Sequence, residues 1–205
     1  MTLLIRGSGL GPRKSPHQKR SKATVAAVVE AAARILESRG LQAYTTNAVA
    51  KVSGVSIGSL YQYFPNKDSI TQALIAREAH VLVAEVERAA SSAEGWEVLA
   101  KIVEVAVRNQ LRRPSLANIL DFEEQRLPVS EGMAQLGAQL VNTIGVSLSS
   151  ASFEQAGSDP FAVQDLIAIV RGMVDGAGAR GERDETALAS RVQRAVFGYL
   201  QKNRA

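Results

Sequence analysis

From Lys22 onward, apolar residues recur at three- and four-residue intervals almost without interruption, and this period limits the chain to helices. Residues 22–38 place Val25, Val28, Val29, Ala32 and Leu36 on one face, with Ile35 beside them; Gly40 is the expected stop and Arg39 sits in the last turn. A short second helix fits 46–52, with Thr45 or Thr46 as its cap. Ser53-Gly54-Val55 makes a tight turn, residues 56–63 give a third short helix, and Phe64 to Asp68 form a loop capping a fourth that runs to about Ala90. Residues 95–112, 115–126, 130–150, 160–178 and 184–202 repeat the spacing, punctuated by Gly95, Pro114, Pro128, Asp159-Pro160 and Gly181. Strand signals are nearly absent and no repeat of fixed period is present. The expectation is an all-α fold of about nine helices: an N-terminal three-helix head and a C-terminal helical body.

Composition narrows the chemistry. At 205 residues, 46% hydrophobic and 21% charged, the chain has the make-up of an ordinary globular protein. With no Cys and two His, at positions 17 and 80, thiolate chemistry is absent, and zinc sites or Ser-His-Asp triads have little to draw on. No catalytic constellation, metal spacing or phosphate loop is present, so neither enzyme activity nor a cofactor is expected. No apolar run approaches the ~20 residues of a membrane helix. Leu3-Leu4-Ile5 is too short for a signal-peptide core, and a cytoplasmic location is expected. Gly7-Ser8-Gly9-Leu10-Gly11 lacks the preceding strand and the spacing of a dinucleotide loop.

The net charge of +4 divides unevenly. Residues 1–67 hold ten Lys/Arg and two acidic residues, net +8; residues 68–205 hold fourteen and eighteen, net −4. A basic third joined to a mildly acidic remainder is the footprint of a module that meets a polyanion.

The segment from Tyr44 to Lys67, YTTNAVAKVSGVSIGSLYQYFPNK, has the spacing of a helix-turn-helix. Ala50 is small where two helices approach, Gly54 occupies the turn, and Val49, Val55 and Leu60 are the apolar pins. Those pins leave Ser56, Ile57, Gly58, Ser59, Gln62 and Tyr63 facing outward. The small residues let that end press into a major groove about 12 Å wide.

Thr45-Thr46, Ala50, Gly54-Val55, Leu60-Tyr61, Tyr63-Phe64 and Asn66-Lys67 together resemble the TetR family of transcriptional repressors, ungapped from about residue 22 to 75. The remainder matches only in helical style, including the closing pattern from Leu188 to Leu200. The resemblance implies phosphate contacts from the hydroxyls of Thr46 and Tyr61, a phosphate or sugar contact from Tyr63, and a phosphate grip by Lys67 at the start of the long helix. Base edges would be read by Asn47, Ser56, Ile57, Gly58 and Ser59, with Asn47 suited to adenine and Ile57 to a thymine methyl. The third helix carries no Arg or Lys, so arginine-to-guanine readout is not available from it. The alternative for Tyr61 and Tyr63 is a half-buried ring with its hydroxyl in water, and for Lys67 a solvated loop charge. Arg13, Lys14, Lys19, Arg20 and Lys22 form either a basic arm for phosphates and minor groove or a solvated tail.

The resemblance also assigns the parts: residues 1–20 a flexible basic tail, 21–67 the DNA-binding domain, and 68–205 a ligand-binding and dimerisation domain. Leu166, Ile169, Val170, Met173 and Val174, with Gly172 and Gly176, face Leu188, Val192, Ala195, Val196, Tyr199 and Leu200 on the last two helices. These would pair two copies across a two-fold axis, or else form an intramolecular core stripe. Trp96, Asn109, Asp121, Phe122, Gln125, Gln139 and Asn142 are candidate ligand contacts. Arg171 either holds an anionic ligand or pairs with Asp175 one turn on. His80 reads as a helix-face histidine. The function expected is a repressor that binds a palindromic operator as a homodimer and is released by a small-molecule effector of unknown identity. A small all-α enzyme and a membrane-surface module are the alternatives, and neither finds the residues it needs.

Overall fold

The computed structural model describes residues 19–149 and 159–202. Every regular element among them is an α-helix: α1 (Lys19–Ala43), α2 (Thr46–Ser53), α3 (Ile57–Tyr63), α4 (Lys67–Ala90), α5 (Trp96–Arg112), α6 (Pro114–Arg126), α7 (Glu131–Leu148), α8 (Ala162–Ala179) and α9 (Glu185–Lys202). The all-α expectation holds, and most predicted ends lie within a residue or two of these. Arg13 and Lys14 lie outside the described residues. The clearest difference is at Gly40: the helical pattern does not end there but breaks (φ 69°, ψ −174°) and resumes to Ala43. Glycine tolerates this positive φ because it has no Cβ to meet the following carbonyl. Pro114 opens α6 rather than merely separating two helices, since a first-turn position needs no backbone N–H donor.

The chain divides into two compact units, and the division lies inside α4, between Arg77 and Glu78. The first unit holds the described residues up to Arg77 together with Ile119–Pro128. In it α1 packs on α2 and α2 on α3. Val28, Ile35, Leu36, Tyr44, Val49, Leu60, Phe64, Ile70 and Leu74 are all buried. Each such apolar side chain removed from water contributes roughly 1.5–3 kcal/mol, which is what lets the short α2 and α3 hold a fixed arrangement on α1.

The second unit holds Glu78–Asn118 and the described residues from Val129 onward. Its core is α5, α8 and α9, packed pairwise. Leu99, Val103, Val107 and Leu111 of α5 meet Leu166, Val174 and Ala177 of α8 and Leu188, Val192, Val196 and Leu200 of α9. Trp96 meets Phe197 edge to face, ring centres 5.0 Å apart. Val86 and Ala89 at the end of α4 join Val98, Ile102 and Val105 in a second cluster. Gly178 marks a close approach: a Cβ there would stand 3.0 Å from Gln110 Nε2 and 3.1 Å from Asn118 Oδ1.

The apolar faces of α8 and α9 are thus largely spent inside one protomer. Leu166, Val174, Leu188, Val192, Val196 and Leu200 are buried there, while Ile169, Val170, Met173 and Tyr199 pack only partly against that core.

Candidate nucleic-acid interface

Local rules build the surface of the first unit. Thr45 caps α2 by accepting a hydrogen bond from the Ala48 N–H at 3.1 Å. Gly54 ends α2 in the left-handed conformation (φ 68°, ψ 19°), and the Val55 N–H returns to the Ala50 carbonyl at 3.1 Å. Ser56 then caps α3, accepting from the Ser59 N–H at 3.1 Å and donating to Ser59 Oγ at 2.8 Å. These bonds use the hydroxyls of Thr45 and Ser56 to fix where α2 and α3 begin, and Gly54 fixes where α2 ends. Val49, Ala50 and Leu60 lock the pair from beneath.

What remains outside is the predicted set. Asn47, Ser56, Ile57 and Gly58 are exposed, with Ser59 half-buried behind them. A Cβ on Gly58 would have no heavy atom within 4 Å, so the start of α3 is low in profile. Ile57 is 40% exposed and Tyr61 43%, a large outlay of apolar surface on so small a unit. Thr46 Oγ1 and the Tyr61 hydroxyl lie 3.1 Å apart, so the structure brings these two together across α2 and α3. The Tyr63 hydroxyl donates to Ser21 Oγ at 3.3 Å, tying the end of α3 to the first turn of α1.

Lys67 opens α4. Asn66 caps that helix, its Oδ1 accepting from the Ser69 N–H at 2.8 Å. The Lys67 ammonium stands 5.5 Å from the centre of the Tyr44 ring, an attraction between cation and aromatic face. Tyr44 is buried; its hydroxyl and Thr71 Oγ1 lie 3.1 Å apart, and both hydroxyls reach the Lys67 carbonyl, at 3.5 and 3.2 Å. Burial pushes the Tyr44 hydroxyl up to about 12, so it keeps its proton.

Two features of this end of α4 have no counterpart in the sequence reading. One is the Tyr44 ring beneath Lys67. The other is Arg126 at the end of α6, which forks onto Asp68 with Nη2–Oδ1 2.6 Å and Nη1–Oδ2 3.2 Å and also holds Glu123 Oε2 at 2.6 Å. The hydrogen bond from Arg126 holds the Asp68 carboxyl below the usual carboxylate range. Glu123 and Arg126, three apart on a helix, carry a sequence signal; Asp68 and Arg126, separated by 58 positions, carry none.

The candidate ligand residues fall in both units. Asp121, Phe122 and Gln125 lie in the segment that belongs to the first, with Phe122 60% exposed. Trp96, Asn109, Gln139, Asn142 and Arg171 lie in the second. Gln139 and Asn142 are exposed, and Gln139 Nε2 donates to Glu87 Oε1 at 2.5 Å. Arg171 is exposed and pairs with Asp175 at 3.5 Å. Glu97 and Lys101 pair as their i,i+4 spacing suggests; Arg108, four positions after Glu104, reaches Glu85 at 3.8 Å. Asn109 differs from the rest: its Nδ2 is buried and has no hydrogen-bond partner. His80 is exposed on α4. No described helix is long and apolar enough to cross a membrane.

Comparison with known proteins points the same way. The sequence profile of the bacterial regulatory proteins of the tetR family matches residues 28–74, the helix-turn-helix and its flanks. The nucleoid occlusion factor SlmA of Haemophilus ducreyi is 30% identical over 142 residues, 65% of this chain and 68% of that protein. Other nucleoid occlusion factors match over as little as 58% of their own length. Among solved structures, the fatty acid degradation regulator FadR of Bacillus halodurans superposes with a TM-score of 0.70 at 19% identity, covering 85% of this chain and 95% of that one. AibR, solved in complex with isovaleryl coenzyme A and operator DNA, superposes at 0.65 with 20% identity, covering 85% and 98%. At that identity the two structures establish the fold. Profile, relative and fold together place this chain in the TetR family of DNA-binding bacterial regulators.

Proposed function

We propose that this regulator is a repressor that binds a palindromic operator as a homodimer and lets go when a small-molecule effector is bound. The observation that carries the DNA half is the rim around the start of α3: paired Thr46 and Tyr61 hydroxyls, Tyr63, and an ammonium at the start of α4, surrounding a low, uncharged α3. Hydroxyls and an ammonium hold phosphates and set register, while Asn47, Ser56, Ile57, Gly58 and Ser59 meet the base edges. Without Arg or Lys on α3, sequence-dependent DNA shape supplies part of the specificity.

Dimer formation is supported by the part of α8 that the protomer leaves open, half-buried Ile169, Val170 and Met173 around exposed Gly172. Two half-sites one helical turn apart, about 34 Å, would multiply the contact made by so short a reading helix. For the effector, Asn109 is the favoured polar anchor, because a buried unpaired donor loses about 1–3 kcal/mol that an acceptor on a ligand would restore. Trp96, Gln139, Asn142, Asp121, Phe122, Gln125 and Arg171 are secondary candidates. Residues 1–20 remain proposed as a basic arm.

The test is the salt dependence of binding to DNA recovered by selection. Log affinity should fall steeply with log salt, by about 0.9 per phosphate neutralised, and Lys67→Ala should lower the slope by about that much. A flat plot would overturn the reading. Asn47→Ala should blur one base position and leave the others intact.

A second reading is favoured by the similarity to nucleoid occlusion factors: a factor of that kind in place of a repressor of particular promoters. Mapping bound sites across the genome separates the two. Occupancy confined to a few promoters supports the repressor, and occupancy spread along the chromosome supports the second.

A further inference from the structure

A carboxylate beside a phosphate-binding lysine is an electrostatic liability, and Asp68 directly follows Lys67. In the first turn of α4 it is favoured by the helix dipole, yet it opposes an approaching phosphate and competes for the lysine's ammonium. The structure cancels it from a distant part of the chain. Arg126 forks onto both carboxylate oxygens of Asp68, and Gln72 Nε2 donates to the Pro128 carbonyl at 3.2 Å, fastening the same segment to α4 one turn further along. All four residues belong to the first unit. The Arg126 side chain is 43% exposed and that of Asp68 34%, a setting in which an ion pair adds little to stability. Its consequence for a neighbouring anion site is larger than its consequence for the fold.

We propose that Arg126 is a positioning residue for DNA binding: by holding the Asp68 carboxylate it keeps that charge from claiming the Lys67 ammonium and weakens its repulsion of a backbone phosphate, without itself touching DNA. Glu123, which shares the same guanidinium, and Tyr44, beneath Lys67, are the other groups that face this charge. The inference rests on Lys67 being a phosphate contact.

The experiment compares full-length wild type, Arg126→Gln, Asp68→Asn, the double variant and Lys67→Ala, each titrated against the selected DNA over a range of salt, with melting curves alongside. Arg126→Gln should weaken binding about tenfold at low salt and less at high salt, lowering the slope of the salt plot by well under the roughly 0.9 of a lost phosphate contact. Asp68→Asn should bind at least as tightly as wild type, and the double variant should recover to within about twofold of it. A merely structural role for Arg126 would not be rescued by removing its partner. Because Arg126 also holds the buried Glu123, Glu123→Gln is added to the wild type, to Arg126→Gln and to the double variant, so that a folding defect from an unpaired Glu123 is separated from the effect of Asp68. A double variant as weak as Arg126→Gln overturns the inference, as does an unchanged Arg126→Gln. A slope lowered by about 0.9, as much as by Lys67→Ala, would make Arg126 a phosphate contact in its own right and overturn it too. If Lys67→Ala binds as wild type while other rim variants weaken, the reading of Lys67 falls and takes this inference with it. If only Arg126 behaves otherwise, the inference falls alone.

Discussion

The two units are made of the same element and held together by different means. In the first, α2 has eight residues and α3 seven, too few turns to persist alone, and each is fixed by a side chain bonded to backbone: Thr45, Ser56, and Asn66 at the start of α4. In the second, α5, α8 and α9 have 17 or 18 residues; neither Gly95 before α5 nor Phe161 before α8 supplies a side-chain cap, and only Asp184 before α9 does, accepting from the Ala187 N–H at 2.9 Å. Those helices are held by long apolar stripes packed on one another. Short capped helices place particular side chains to within a hydrogen bond, as a surface that reads DNA needs. Long packed helices leave room for the sequence to drift while the fold persists.

Core truncations test the contrast most heavily. Phe64→Ala, at a fully buried ring, should cost about 3–5 kcal/mol and abolish DNA binding. Leu188→Ala should cost about 2–5 kcal/mol in the other unit. Amide exchange resolved by residue should show each loss confined to its own unit; a loss spread evenly over both would break the distinction.

Turn and cap variants sharpen it. Gly54→Ala forces a Cβ into a positive φ and should cost about 1–2 kcal/mol. Thr45→Ala should cost about 1 kcal/mol and weaken binding by loosening the start of α2. Thermal melts read both. An effect of Thr45→Ala below a few tenths of a kcal/mol would mean that packing, and not the cap, fixes α2.

The smallest effect concerns two tyrosines, one per unit, both pushed up to about 12 for different reasons. Burial raises Tyr44, whereas a 2.7 Å hydrogen bond to the Asp165 carboxylate raises Tyr199. In each, the folded state keeps a proton that the unfolded chain loses near 10. The stabilisation is therefore complete below pH 10 and is lost as the pH rises toward 12. Tyr44→Phe should flatten the alkaline loss of stability more than Tyr199→Phe, because the Tyr199 pair is screened by solvent. Denaturant melts between pH 9 and 12 would check the order; the reverse order would place the larger burden on the exposed pair.

The same contrast explains what could be read from the sequence. Thr45, Gly54 and Ser56 act on backbone within three or four positions, so their effect is written next to them. The ends of α2 and α3, and the outward set on α3, were legible for that reason. Gly40 misled mildly, because a glycine with positive φ breaks a helix without preventing its resumption. Arg126 on Asp68 was not legible, since only the folded chain brings positions 58 apart together. Nor was the division of α6, which sends Asp121, Phe122 and Gln125 to the first unit while Asn109, on α5, lies in the second. For α8 and α9 the apolar stripes were correctly found, but a stripe does not say whether it faces its own core or a second copy. Leu188 and Val192 face their own.

The most direct measurement is selection of bound DNA from a random duplex library by the full chain, followed by the same selection with Thr46→Ala, Tyr61→Phe and Lys67→Ala. A two-fold symmetric sequence with half-sites about one helical turn apart should be recovered, and the variants should recover the same sequence with weaker binding, since phosphate contacts carry no base information. Recovery of no common sequence, or of a different one when only these rim residues are changed, would contradict the assignment of the rim to phosphates and of α3 to bases.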